Sequence, residues 1–161
     1  MKRQPLASFC RGVVRIVSSR FRLLQDRVGE VVTAPDGTAF TVFRQARFTP
    51  AGPGGESPPR ARFTVRFHVK NMTPERNRRF SLLTIPFFVG MPGFRSKLWL
   101  VDESSGDFMG IYEWRTEGDA RNYSESFAMH FMTKRSEEGS VSFDIEPIYY
   151  TKQSERGRDE Q

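Results

Sequence analysis

The sequence is poor in the residues that build disulfides, metal centres and membrane spans. Its single cysteine, Cys10, excludes an intramolecular disulfide and favours a reducing compartment, so we expect a cytoplasmic location. With two histidines, only a carboxylate-rich metal site could be assembled, and we predict neither a metal nor an organic cofactor. The longest apolar run, Leu82 to Met91, is too short to span a bilayer and contains Pro86.

Excess charge is also missing from most of the chain. The net charge is +6, yet residues 1–28 alone contain seven basic residues and one acidic residue. Residues 29–161 contain 18 of each sign, so they have no general attraction for polyanions. A nucleic-acid partner is therefore not expected.

The basic segment, residues 1–29, is predicted to hold an amphipathic helix from Phe9 to Val28 that ends at Gly29. Its apolar stripe would pack on its own domain or on a second copy. Alternatively, this stripe and the arginine-rich face opposite would place residues 1–28 on an acidic membrane surface.

Three further segments differ in composition. Residues 30–48 read as a β-hairpin, because Asp36-Gly37 separates two β-rich runs. Residues 49–61 hold four prolines and three glycines and are predicted to be a linker. The charged residues 151–161 are predicted to be a disordered tail.

Residues 62–150 alternate strand and helix patterns in the order βαββαβ. The predicted strands cover 62–70, 94–101, 108–116 and 141–150, and the predicted helices cover 74–85 and 117–138. This order specifies an α+β, ferredoxin-like fold with a four-stranded antiparallel sheet and two helices on one face. We expect Arg66, His68, Trp99 and Tyr112 on the other face, where a second copy would close a pocket.

The stretch from Pro92 to Tyr123 resembles the YdhR-type monooxygenase-like family of the dimeric α/β-barrel superfamily. The resemblance covers residues 62–150, about 90 of 161, and its short motifs are Pro-Gly-Phe, Lys-x-Trp and Gly-Ile-Tyr. His68 also stands where that family can carry a histidine. The matching residues are Pro92, Gly93, Phe94, Lys97, Trp99, Gly110, Ile111, Tyr112, Ala120 and Tyr123.

The resemblance implies a homodimer and a pocket for a small hydrophobic, quinol- or phenol-like molecule. Oxidation without a cofactor needs a base, a group that stabilises the substrate anion, and an aromatic wall. The resemblance assigns His68 as the base, Arg66 or Lys97 as the anion's partner, and Trp99 and Tyr112 as the wall. The competing hypothesis is a non-enzymatic dimeric scaffold whose N-terminal helix contacts a membrane or a partner.

Overall fold

A computed structural model describes residues 5–18, 20–55 and 57–150 of the chain. The predicted tail, residues 151–161, lies outside this range. The helices are α1 (Pro5–Val17), α2 (Pro74–Val89), α3 (Glu117–Ser124) and α4 (Phe127–Arg135). The strands are β1 (Phe21–Leu24), β2 (Val31–Thr33), β3 (Ala39–Phe48), β4 (Ala61–Phe67), β5 (Phe94–Val101), β6 (Phe108–Trp114) and β7 (Ser142–Pro147).

The ferredoxin-like fold is confirmed. Four antiparallel strands lie in the order β5-β6-β4-β7, and the helices follow β4 and β6 as the βαββαβ pattern requires. The predicted second helix is interrupted, however, and forms α3 and α4. The break occurs because the Ser126 hydroxyl caps a new helix by accepting a hydrogen bond from the Met129 amide, 3.3 Å away.

The predicted hairpin enlarges the same sheet. Strand β3 pairs with β5, and its other edge pairs with β2 near the hairpin turn and with β1 further along. The sheet therefore has seven strands. The described residues between Thr49 and Arg60 form turns and extended chain rather than helix or strand, as expected from their prolines and glycines.

The N-terminal helix is shorter than the apolar pattern predicts. It ends at Val17, and Phe21–Leu24 instead forms strand β1. The edge of β3 offers unpaired backbone groups to this segment, so pairing along the sheet replaces helical hydrogen bonds. No helix in the described ranges is long and apolar enough to cross a bilayer.

Helix α2 begins as the sequence predicts and ends later. Thr73 caps it and Pro74 occupies its first turn. We expected Pro86 to end the helix, yet it continues to Val89. A proline in the last turn of a helix removes one backbone hydrogen bond. The buried side chains of Phe88 and Val89 hold the residues after Pro86 in the helix.

The sheet has a packed core on each face. The core between the sheet and the helices contains large side chains that include Phe63 of β4, Trp114 of β6 and Phe88 of α2. The other face carries a smaller cluster of Phe40, Val42, Leu98, Leu100 and Met109. This second cluster is buried within a single chain because the sheet curls. The Arg66 guanidinium of β4 lies 5.1 Å from the centre of the Phe40 ring of β3. These strands stand three places apart, which would separate them by about 14 Å in a flat sheet.

Helices α1 and α2 approach closely enough for their backbones to touch, and the Phe9 ring of the predicted apolar stripe packs on Phe87, with ring centres 5.0 Å apart. A Cβ atom added at Gly12 would lie 1.7 Å from the Pro86 carbonyl oxygen, so only glycine fits. We expect Gly12→Ala to lower the free energy of unfolding by about 1–3 kcal/mol, measured in urea.

Gly118→Ala, in helix α3, is the matched control. Its new methyl group would lie 3.7 Å from the nearest side-chain atom, Thr116 Oγ1, which is an ordinary contact distance. It should leave stability unchanged or raise it by about 0.5–1 kcal/mol. Equal losses in both variants would contradict the close helix contact.

Candidate functional site

Three of the five predicted site residues face one cavity between the sheet and the helices. Lys97 and Trp99 are two residues apart in β5 and so project from the same face. Tyr112 of β6 stands directly opposite Lys97 in the strand register. All three lie on the helix-covered face, not on the face where Trp99 and Tyr112 were expected.

The cavity has a volume of about 70 Å³. This volume suits a few waters, whereas a cavity of about 150 Å³ binds benzene, so an aromatic ligand enters only as side chains at the rim move. No acidic residue of the described chain lines it. The lining residues are Phe43, Phe67, Val69, Asn77, Phe80, Ser81, Thr84, Phe88, Lys97, Trp99, Phe108, Met109, Gly110, Tyr112, Tyr123, Ala128, Phe131, Met132 and Arg135.

The Lys97 ammonium lies in a cage of three aromatic rings. Its Nζ atom is 4.4 Å from the ring centre of Phe88, 4.4 Å from that of Trp99 and 4.3 Å from that of Tyr112. The residue is buried, and Nζ forms no hydrogen bond or ion pair with any residue in the described ranges. Burial, followed by repulsion from Arg44, holds the pKa of this amine well below its usual range.

Two buried phenols lie beside this lysine. The Tyr123 hydroxyl donates to the Tyr112 hydroxyl across 2.7 Å. Burial raises the pKa of both phenols above the ordinary tyrosine value. Both therefore stay neutral near pH 7, and the cavity wall holds no negative charge from them. Tyr123 is among the residues that match the family pattern, but it was not predicted to lie in the site.

Arginines stack on the half-buried rings at the cavity's rim. The Arg135 guanidinium of α4 lies 4.1 Å from the centre of the Phe80 ring. Arg44 and Arg78 lie 5.4 Å and 5.2 Å from the centre of the Phe43 ring. These are cation–π distances. Arg78 is also paired with the Glu103 carboxylate, so Arg44 and Arg135 supply the positive charge at the entrance. No sequence motif marks this cluster, because its members come from β3, α2 and α4.

Arg66 and His68 are placed elsewhere. The Asp107 carboxylate accepts from both: Arg66 Nη2 is 2.8 Å from Oδ2, and His68 Nδ1 is 2.9 Å from Oδ1. Arg66 also pairs with Asp36 at 2.6 Å, which joins the hairpin turn to the sheet. A hydrogen bond from the Thr38 amide, aided by Arg66, lowers the pKa of Asp36 to about 2. Neither Arg66 nor His68 lines the cavity.

His130 also differs from its expected place. The apolar stripe of the helix predicted over residues 117–138 places His130 towards the sheet, as a core or interface residue, but it is exposed on α4. Its Nδ1 atom is 3.0 Å from the Ser126 carbonyl oxygen. The chain leaves the helix after Ser124, and α4 begins at Phe127. The face predicted for one continuous helix from residue 117 therefore does not apply to α4.

The fold has counterparts among solved structures. One is a ferredoxin-fold protein related to antibiotic biosynthesis monooxygenases from Listeria monocytogenes, with a TM-score of 0.51, 14% identity and 89% coverage of each chain. A monooxygenase-like protein from Listeria innocua matches with a TM-score of 0.49 and 12% identity over 73% of this chain and 68% of that one. The haem-degrading enzyme from Listeria monocytogenes gives 0.47 and 14% identity over 81% of this chain and 97% of its own.

At these identities the first likeness establishes the fold alone. No protein-family model matches the chain, and no curated protein matches it. Membership in the YdhR-type family, like the homodimer and the cytoplasmic location, stays a prediction.

Proposed function

We propose that the chain is a YdhR-type, monooxygenase-like protein that oxidises a small phenol- or quinol-like molecule with molecular oxygen. The observation that carries this proposal is the joint placement of Lys97, Trp99 and Tyr112 around one cavity. An ionisable amine enclosed by aromatic walls suits an electron-rich ring with an acidic hydroxyl.

In this scheme Lys97, not His68, is the base. Burial lowers the pKa of this amine and so favours its neutral form, which accepts the substrate's hydroxyl proton. The new ammonium then stays beside the phenolate, in a setting where burial strengthens the attraction. The rings of Phe88 and Tyr112 exclude water from this pair.

The oxidation balances without a further reductant. A phenol and one oxygen molecule give a quinone and one water. One oxygen atom enters the ring, the other leaves as water, and the substrate supplies all four electrons. Deprotonation comes first, because the phenolate donates electrons more readily than the phenol.

The test is oxygen consumption by the full chain with 1-naphthol and hydroquinone, compared among wild type, Lys97→Met and His68→Ala. We expect Lys97→Met to lose at least about 100-fold in rate, since a positioned base contributes that much or more. His68→Ala should match wild type because its ring contacts Asp107 rather than the cavity. Loss in His68→Ala with activity kept in Lys97→Met would overturn the assignment, and so would no turnover by wild type.

A second function is favoured by one feature of α1. Its packed side is Ser8, Gly12 and Ile16, and it therefore turns apolar side chains outwards. Val14 and Val17 are 70% and 83% exposed, and Leu6 is 69% exposed. Arg11 is exposed on the same helix, whereas Arg15 turns inwards and donates to the Val89 and Met91 carbonyl oxygens. We propose that the apolar stripe, with Arg11 beside it in sequence, contacts an anionic lipid surface.

Vesicle flotation separates this function from the first. The full chain should float with vesicles that contain phosphatidylserine and not with phosphatidylcholine alone. Val14→Asp with Val17→Asp should abolish flotation, while Thr133→Asp, on the exposed side of α4, should not. Wild-type protein that stays with the pellet in both lipids would remove the membrane contact.

A further inference from the structure

Among the described residues, Lys97 has no counter-charge of the kind that a buried cation ordinarily has. The groups that face it are the rings of Phe88, Trp99 and Tyr112 and, at longer range, the guanidinium of Arg44. No carboxylate of the described chain lines its cavity. The ammonium form is unfavourable here without a partner, so a bound anion would stabilise that form.

A second donor at the same cavity is also unsatisfied. The indole Nε1 atom of Trp99 is buried and meets no acceptor among the described residues. Buried donors are nearly always hydrogen-bonded, so the unsatisfied indole of a residue that lines the cavity is a candidate donor to a bound acceptor. Lys97 and Trp99 come from one strand face, two residues apart, and both line the cavity.

The other ionisable groups that line the cavity in the described chain add no negative charge. Tyr112 and Tyr123 have raised pKa values and are neutral. Arg135 lines the rim, and Arg44 stacks on the neighbouring Phe43 ring. Arg78 stacks on that ring too, but it is paired with the Glu103 carboxylate. Arg44 and Arg135 therefore give the entrance its positive charge, which attracts anions and disfavours cations.

We propose that this cavity is an oxyanion site that binds its aromatic ligand as a phenolate, with the oxygen accepting from Lys97 and Trp99. The inference rests on the proposed function for the location of the ligand, but it concerns binding and needs no oxygen chemistry. When a neutral phenol enters, its O–H bond breaks, the proton forms a third N–H bond on the amine, and the electron pair stays on oxygen. When a phenolate enters from solution, the site takes up one proton.

The probe is 4-nitrophenol, whose ionised form is yellow. At a pH where the free phenol is mostly neutral, wild-type protein should turn it yellow, with at least about a tenfold rise in the ionised-to-neutral ratio, one pKa unit. The matched ligand 4-nitroanisole, which has no acidic proton, should bind at least about tenfold more weakly. Equal binding of the two ligands, with no yellow form, would overturn the oxyanion site and leave an apolar cavity only.

Variants separate this inference from the oxidation proposal. Lys97→Met should abolish the yellow form, and Trp99→Phe should reduce it severalfold. Lys97→Arg keeps the charge but cannot act as a base, so it should keep phenolate binding and lose oxidation. If wild type binds phenolate but oxidises no phenol, the oxyanion site is supported and the oxidation proposal fails. If wild type oxidises the phenol without a spectral shift on binding, the oxidation proposal is supported and the oxyanion site fails.

Discussion

Lys97→Met is expected to raise the free energy of unfolding by about 1–3 kcal/mol while removing phenolate binding. Methionine fills nearly the same volume and leaves the three rings in place, so no cavity is created. Cation–π contacts with the rings stabilise the ammonium form of Lys97 by about 2 kcal/mol. Desolvation of an ammonium costs several kcal/mol and outweighs that gain. Urea unfolding of both proteins at pH 7 measures the difference.

The same substitution carries a pH signature. The pKa of Lys97 is lower in the folded chain than in the unfolded chain, where it is near the ordinary value for lysine. Between those two pKa values the unfolded chain binds more protons, so wild-type stability rises with pH across that window. The advantage of Lys97→Met should therefore be largest below the folded-state pKa and shrink as pH approaches the ordinary lysine pKa.

Lys134→Met is the matched control for this prediction. Lys134 is exposed on α4, so the substitution removes the same charge without any change in burial. Its effect on stability should stay within about 0.5 kcal/mol and should not vary with pH in this window. A Lys97→Met protein that is less stable than wild type at every pH would mean that the aromatic cage stabilises the ammonium more than burial destabilises it.

The central strands could be predicted from sequence because local pattern and tertiary fold agree there. Strand β5 spans Phe94–Val101 as predicted, and β4 and β6 lie within two or three residues of their predicted ends. Alternation fixed the inward face of β4, where Phe63 and Val65 are buried and Arg62 is exposed. When one face of a strand is exposed to solvent, the alternation of polar and apolar residues shows which side faces the core.

The side of the sheet that Lys97 and Trp99 occupy could not be predicted, because β5 is buried on both faces. Leu98 and Leu100 belong to the second core, so no polar alternation marks which face is inward. A bulge between Phe94 and Ser96 also shifts the parity, and Phe94 shares a core with Trp99 despite the odd spacing. The second core also needs Phe40 and Val42 of β3, which lie outside the ferredoxin-like unit, so the pattern of β5 alone does not predict it.

Trp114→Ala is expected to lower the free energy of unfolding by about 3–5 kcal/mol, the largest loss among the variants considered. The side chain is fully buried, and its ring centre is 5.7 Å from that of Phe94 and 5.1 Å from that of Tyr123. It therefore joins two strands to helix α3, and its removal leaves a void that rigid neighbours cannot fill. Urea unfolding followed by far-ultraviolet circular dichroism gives the loss.

Trp114→Phe separates the ring's packing from its polar atom. The indole Nε1 of Trp114 is buried without an acceptor in the described part of the chain, so phenylalanine removes an unsatisfied donor together with some volume. These effects oppose each other, and we expect a net loss of less than about 2 kcal/mol. Phe143→Ala is the control for aromatic loss, since its ring stacks on Phe63 at 5.3 Å but is 52% exposed. It should cost clearly less than Trp114→Ala, because solvent already covers half of the ring and little new void forms. If the two alanine variants lost equal stability, the centre of the core would lie nearer the β7 edge of the sheet than the buried cluster around Trp114 implies.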